Sequence, residues 1–281
     1  MGRLRVSAIS YLNTAPLMWD FQHGEAGREF EVQYTLPSVC AEAMRAGAAD
    51  IGIIPVAACA TIPGLLVIPD VAIAAKGAVR SILLFAKRPL AEVRLVAADT
   101  SSRTSVALCE LLFRKWWGGA RQFVPHAPDL EAMLVQADAA LLIGDAALTA
   151  ARGEYQVYDL GAEWRKLTGR PFVFAFWAVR RKALAGANAE EVARVFQQSR
   201  DRGTRPESIA AIAAEWAPRL GLSGEFVHEY LTRNVDYSLD AENLAGLELF
   251  FREAAECGVL PKAPAVEFVG SSQFSVLGSQ L

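Results

Sequence analysis

The sequence predicts an α/β protein of two lobes followed by a helical segment, and three observations predict it. Residues 3–56 alternate strand and helix signals, residues 94–148 do so again, and from residue 188 onward the signals are helical. Strand–helix–strand alternation implies parallel strands with helices on their faces. Two such units in one chain imply a cleft between lobes, a favoured place for a small ligand.

The first unit opens on RLRVSAI (3–9), a strand, after which Pro16 sits where a helix can begin. EFEVQYTL (29–36) alternates polar and apolar residues, as a half-buried strand does. PSVCAEAMRAG (37–47) runs from an N1-type proline to a C′-type glycine and reads as a helix. DIGIIPV (50–56) is again a strand. The pattern turns irregular through Pro63, Pro69 and Gly77 before the strand SILLFA (81–86), and KRPLAEV (87–93) reads as a crossover.

RLVAA (94–98) starts the second unit, and a helix over 102–117 gathers Val106, Cys109, Leu112 or Phe113, and Trp116 on one face. RQFVPHA, DLEAMLVQA and DAALLIGDAAL follow as strand, helix, strand. FVFAFWAVRR (172–181) carries the chain back. The expected lobes are 1–88 plus 178–281, and an inserted 89–177, with the active site in the cleft between them. In the tail, a helix over 188–203 has Asn188 as its cap, glutamates in its first turn, arginines in its last and Gly203 as its stop. RPESIAAIAAEW places apolar residues at 209, 212, 213 and 216. Asp240 and Gly258 bound the helix that follows.

The chain has 281 residues, of which 53% are hydrophobic and 21% charged, so it is globular and can bury a core. A net charge of -3 gives no case for a nucleic-acid surface. Cys40, Cys59, Cys109 and Cys257 never form a C-x-x-C pair, so buried free thiols are expected in place of a zinc or redox site. No apolar run approaches ~18 residues, and the N-terminus goes straight into RLRVSAI with no apolar stretch ending in a small-residue cleavage site, so neither a membrane span nor secretion is expected. The expected compartment is the cytoplasm. Nucleotide-binding glycine motifs, a G-x-S-x-G elbow and H-E-x-x-H are missing, and the histidines (His23, His126, His228) are scattered. No metal and no cofactor are expected. A monomer and a homodimer both remain open.

The unusual residues fall just past strand ends, where open α/β sheets bind ligands and helix N-termini offer free N–H groups. SYLNTAPL (10–17) supplies Ser10, Tyr11, Asn13 and Thr14. DTSSRTS (99–105) supplies Thr100, Ser101, Ser102, Arg103, Thr104 and Ser105, more hydroxyls than a single helix cap needs. From 100 through 105 there is no Asp or Glu, so the positive end of that helix is neutralised from within only if Asp99 folds back. A carboxylate or phosphate fits there; the alternative is a capped helix with Arg103 paired to Asp99. Arg80 and Ser81 begin a strand near the crossover. In IGDAAL, Gly144 permits close backbone approach, and Asp145 reads first as a cap of the next helix. Phe172, Phe174 and Trp177 read as core, with one of them free to line a pocket. The residues alone thus support a two-lobed binder of a small anion.

SYLNTAPL, PSVCAEAMRAGAADIGIIPV, DTSSRTSVALCELL, LLIGDAAL and YDLGAEWRKLTGRPFVFAFW occur in this order. Together, over residues 3–180, they resemble the chorismate dehydratase family of the futalosine route to menaquinone. The resemblance implies a type II periplasmic-binding-protein-like fold used as an enzyme. It implies that chorismate, a dicarboxylate, loses water to give 3-[(1-carboxyvinyl)oxy]benzoate. It further implies Asn13 and Ser81 as the catalytic polar residues and TSSRTS as the carboxylate-binding loop. Ser10, Tyr11, Thr14, Arg80, Gly144, Asp145 and Phe174 complete the expected substrate contacts. The motifs offer no evident base; the expectation is that the substrate's enolpyruvyl carboxylate takes the C3 proton, with Asp145 as the competing candidate. Solute receptors share the implied fold, and a sister lyase that makes dihydroxynaphthoate is the nearest alternative enzyme; SYLNT argues against the latter.

Overall fold

The computed structural model describes residues 3–270; residues 1–2 and 271–281 of the expected first lobe lie outside it. The first lobe begins with β1 (Leu4–Ile9), a 3-10 turn over Leu12–Met18, and the short helices α1 (Trp19–His23) and α2 (Ala26–Glu29). It continues through β2 (Phe30–Thr35), α3 (Pro37–Ala46), β3 (Ile51–Pro55) and β4 (Leu65–Ala75). As expected, Pro37 opens α3, and Gly47, at φ 75°, closes it.

The second lobe runs β5 (Ile82–Ala86), β6 (Leu95–Asp99), α4 (Thr104–Lys115), β7 (Gln122–His126), α5 (Leu130–Gln136) and β8 (Ala139–Ile143). It ends with α6 (Gly144–Thr149), β9 (Gln156–Asp159) and α7 (Leu160–Thr168). β10 (Phe172–Arg180) then returns to the first lobe. The tail contributes α8 (Ala189–Gly203), α9 (Pro206–Leu220), α10 (Gly224–Glu229), a π-helical turn over Tyr230–Asn234 and α11 (Ala241–Glu256).

The first sheet has the order β2-β1-β3-β10-β4 and the second β7-β6-β8-β5-β9. In each, the first three strands run parallel and the strand next to them runs antiparallel to its neighbours. The sheets are therefore mixed, not parallel throughout. The antiparallel strand is the one adjoining a crossing: β5 enters the second lobe and β10 re-enters the first.

That pairing corrects the expected lobe boundaries of 88 and 177. β5 pairs with β8 and β9 in the second sheet, and β10 pairs with β3 and β4 in the first. The crossings are the segments 76–81 and 169–171. Both strands are almost wholly buried and apolar, so hydropathy does not say which sheet they join. KRPLAEV is no crossover; it holds a 3-10 turn over Leu90–Glu92 ahead of β6.

The stretch read as irregular contains β4, an 11-residue strand, despite Pro69. Asp70 sits at φ 65° inside it and the register with β10 shifts, so an irregularity accommodates the proline. β9 and α7 also had no separate signal of their own.

One core cluster joins the lobes, with Ile54, Ala72 and Phe176 of the first sheet and Leu84, Val96 and Leu141 of the second. α11 packs on both β10 and α4, so the tail covers both lobes. Ile209, Ile212, Ala213 and Trp216 are buried as their spacing required. A Cβ on Gly203 would lie 1.8 Å from the Pro16 carbonyl oxygen, so this glycine permits α8 to lie on the 3-10 turn; it is the last residue of α8, and Thr204, not Gly203, caps the helix. Cys40 and Cys109 are buried and Cys59 and Cys257 half-buried; all four are free thiols.

Candidate functional site

A small cavity of about 60 Å³ lies between the lobes, and most of its lining is apolar. Ile9, Pro37, Pro55, Ile73 and Ala175 face it from the first lobe, and Ile82 and Ile143 from the second. Its polar groups come from two places. The turn after β1 supplies Tyr11, Asn13 and Thr14, and the segment before and into α4 supplies Ser102, Arg103, Thr104 and Ser105. Gly144 and Phe174 complete the wall.

Of the residues expected at the site, Tyr11, Asn13, Thr14, Ser102, Arg103, Thr104, Gly144 and Phe174 line this cavity. Ser10 and Thr100 are exposed away from it. Ser81 is fully buried behind the wall, one residue before Ile82, and its carbonyl accepts from the Gly144 N–H at 2.8 Å. Arg80 does not face the cavity: its guanidinium pairs with Glu229 at 2.9 Å and lies over the Phe226 ring. Phe172 and Trp177 are core, packed on Phe250 and Phe196 respectively.

The hydroxyl-rich segment is used otherwise than as caps. α4 starts at Thr104, not 102, and no side chain caps it. Its first turn holds no acidic residue, so the positive end of its dipole has no carboxylate within the helix. Thr104 Oγ1 accepts from the Ala57 N–H at 3.2 Å. Ser101 is buried; its hydroxyl donates to Asp99 at 2.6 Å and accepts from the Tyr11 hydroxyl at 3.1 Å. Asp99 does fold back, but onto the Ser101 N–H and the Ile143 N–H, two groups of its own lobe. Arg103 pairs with Glu42 of α3 and not with Asp99.

Asp145 likewise is not the cap of α6. Its carboxylate accepts from the Leu12 N–H, in the other lobe, at 3.0 Å. Burial pushes its pKa up from 3.8 to about 6, against the opposing effect of that N–H. Burial also pushes the Tyr11 phenol up to about 12, partly offset by Ser101, so it stays a neutral donor. Tyr11–Ser101, Leu12–Asp145, Ala57–Thr104 and Glu42–Arg103 all run between lobes. A further one joins the Ser38 N–H to the Ser101 carbonyl at 3.1 Å. The lobes are thus drawn together over the cavity.

Gly144 fits this closure. It sits at φ 58°, and a Cβ there would lie 2.8 Å from the Tyr11 ring. Thr14 is committed to the backbone, donating to Ile9 and Tyr11 carbonyls at 2.5 and 2.7 Å.

Two lining residues carry buried polar atoms without partners among the described residues: the acceptor Asn13 Oδ1 and the donor Arg103 Nε. Buried polar groups are nearly always bonded, and in a binding cavity such a pair suits a ligand offering both an anion and a hydroxyl. Sequence reasoning missed the apolar lining and did not assign Ser105 a contact. It also missed Tyr230, whose hydroxyl lies 2.8 Å from Ser81 Oγ.

The family described as menaquinone biosynthesis matches residues 4–256. A chorismate dehydratase of Thermus thermophilus is 34% identical over 218 residues, 72% of this chain and 75% of that protein. Among solved structures, a protein of Archaeoglobus fulgidus has a TM-score of 0.71 at 19% identity, covering 92% of this chain and 98% of its own. The periplasmic aliphatic sulphonate binding protein of Escherichia coli has a TM-score of 0.59 at 20% identity, covering 94% and 95%. These structures show the fold, which is that of the periplasmic binding proteins.

Proposed function

The chain belongs to the menaquinone biosynthesis family, and on that premise we propose that it dehydrates chorismate to 3-[(1-carboxyvinyl)oxy]benzoate. The observation that carries the reading is the pair of unpartnered atoms, Asn13 Oδ1 and Arg103 Nε, in one largely apolar cavity. Chorismate has two carboxylates to meet Arg103 and the N-terminus of α4, a hydroxyl to meet Asn13, and a ring to meet Phe174 and the isoleucines.

The chemistry needs little else. Removal of the C3 proton leaves charge that spreads through the ring diene onto the ring carboxylate. Donors held on that carboxylate bind more strongly as the charge develops, and this lowers the barrier. The C4 hydroxyl then departs, the ring becomes aromatic, and the proton and hydroxide together make the water lost. The substrate's enolpyruvyl carboxylate is our candidate for the base. Asn13 and Ser81 hold that carboxylate or assist the departing hydroxyl.

We further propose the futalosine route as the pathway and the cytoplasm as the compartment; among the described residues no helix is long and apolar enough to cross a membrane. A homodimer would bury the exposed Tyr34, Leu36 and Val39 beside the edge strand β2. Light scattering on the purified protein distinguishes it from a monomer.

The test is to mix purified protein with chorismate and follow the products by mass spectrometry and ultraviolet absorbance. A product lighter by one water with an aromatic spectrum supports the reading. Binding without conversion would leave a carboxylate receptor, and neither binding nor conversion would favour the sister lyase.

A further inference from the structure

We propose that Tyr230, supplied by the tail, is a positioning residue of the dehydration and acts through Ser81. The proposal rests on the chorismate reading above. Tyr230 is fully buried, and its hydroxyl is 2.8 Å from Ser81 Oγ although the two residues are 149 positions apart. It opens the π-helical turn Tyr230–Asn234. Such turns are rare and are frequently found at functional sites.

The environment fixes which atom donates. Burial raises the pKa of the phenol well above its ordinary value, with Ser81 and the Asn13 side chain opposing, so the phenol keeps its proton. The neutral phenol therefore donates to Ser81 Oγ. The serine's own hydrogen then has the Val79 carbonyl within reach only at 3.5 Å, longer than a well-formed O–H···O bond. The bond received from Tyr230 therefore fixes the orientation of the buried serine hydroxyl and polarises it. Tyr230 thus ties the tail to one of the two polar residues proposed for the chemistry.

The segment carrying Ser81 is gripped from both sides. The Val79 and Arg80 N–H groups donate to Asp159 at 3.0 and 2.6 Å. Arg80 is held at φ 61°, an uncommon conformation for a residue other than glycine. Glu229, the residue before Tyr230, pairs with the Arg80 guanidinium. Neighbouring residues of the tail therefore engage neighbouring residues of the crossing, which sets the Ser81 hydroxyl in one place.

The test is a double-mutant cycle on chorismate turnover with Tyr230→Phe and Ser81→Ala, using mass spectrometry to reach slow rates. Tyr230→Phe keeps the ring and should lower kcat about 10-fold or more, with KM within about twofold. In the Ser81→Ala background the same change should cost less than about twofold, because the partner is gone. An unchanged kcat, or an equal loss in both backgrounds, overturns the proposal. Should Tyr230→Phe not fold, 3-fluorotyrosine at position 230 keeps the packing and strengthens the donor. It should change kcat in the wild type and not in Ser81→Ala; equal kcat in the wild type overturns the role. A wild type that does not convert chorismate overturns the underlying reading and this role with it. Conversion with an indifferent Tyr230 overturns the role alone.

Discussion

The Asp145 carboxylate of the second lobe accepts the Leu12 N–H of the first at 3.0 Å, in a setting that raises its pKa to about 6. A carboxyl whose folded pKa lies above its unfolded value binds its proton more tightly when folded. Its contribution to stability is therefore complete below about pH 4 and is lost as pH rises through about 6.

Asp145→Asn keeps an oxygen for Leu12 and removes the titration. The variant's melting temperature relative to wild type should rise between pH 4 and pH 6 and then level off. Thermal melts across that range check this. If Asp145 were the base, the variant would also lose turnover; with a substrate carboxylate as the base, it retains most of it.

Asn13→Ala removes the cavity's unpartnered acceptor and the donor of the same amide. Loss of one well-placed transition-state hydrogen bond costs about 10²–10³ in kcat. Steady-state assays on chorismate should show that loss with the melting temperature nearly unchanged.

Arg103→Ala should act chiefly on binding. Hydrogen bonds to charged groups are worth about 1.5–3 kcal/mol, so KM for chorismate should rise about 10- to 100-fold. Glu42→Gln, which removes the partner of Arg103 and leaves the guanidinium, should not raise KM comparably.

Gly144→Ala combines a positive φ with a contact of 2.8 Å to the Tyr11 ring. The backbone strain alone costs about 1–3 kcal/mol. Urea denaturation should register it, and weaker substrate binding should accompany it because Tyr11 must move.

A chorismate ester blocked at the enolpyruvyl carboxylate should bind and remain unconverted. Turnover of the ester at the normal rate would remove that carboxylate as the base.

The two lobes and the tail helices were legible because periodicity and capping residues mark elements locally. Asn188 and Asp240 do cap their helices, accepting from Glu191 and Asn243 N–H groups. Sheet membership was not legible for β5 and β10, since burial on both faces looks alike in either sheet. The site loops were recognisable by their hydroxyls and by family resemblance. Individual partners were not, because Asp145 with Leu12 and Arg103 with Glu42 are contacts between lobes that only the closed fold creates. Tyr230 had no signal: its meaning depends on a π turn that places it against a residue far away in sequence.

The position of the crossing strands has a mechanical consequence. β5 lies between β8 and β9, and β10 between β3 and β4, so each link delivers the chain to an interior strand of the sheet it enters. A load that parts the lobes is carried into hydrogen bonds on both sides of each such strand. The short spans 76–81 and 169–171 are where the backbone passes from one sheet to the other, while the shared core and α11 brace the lobes beside them.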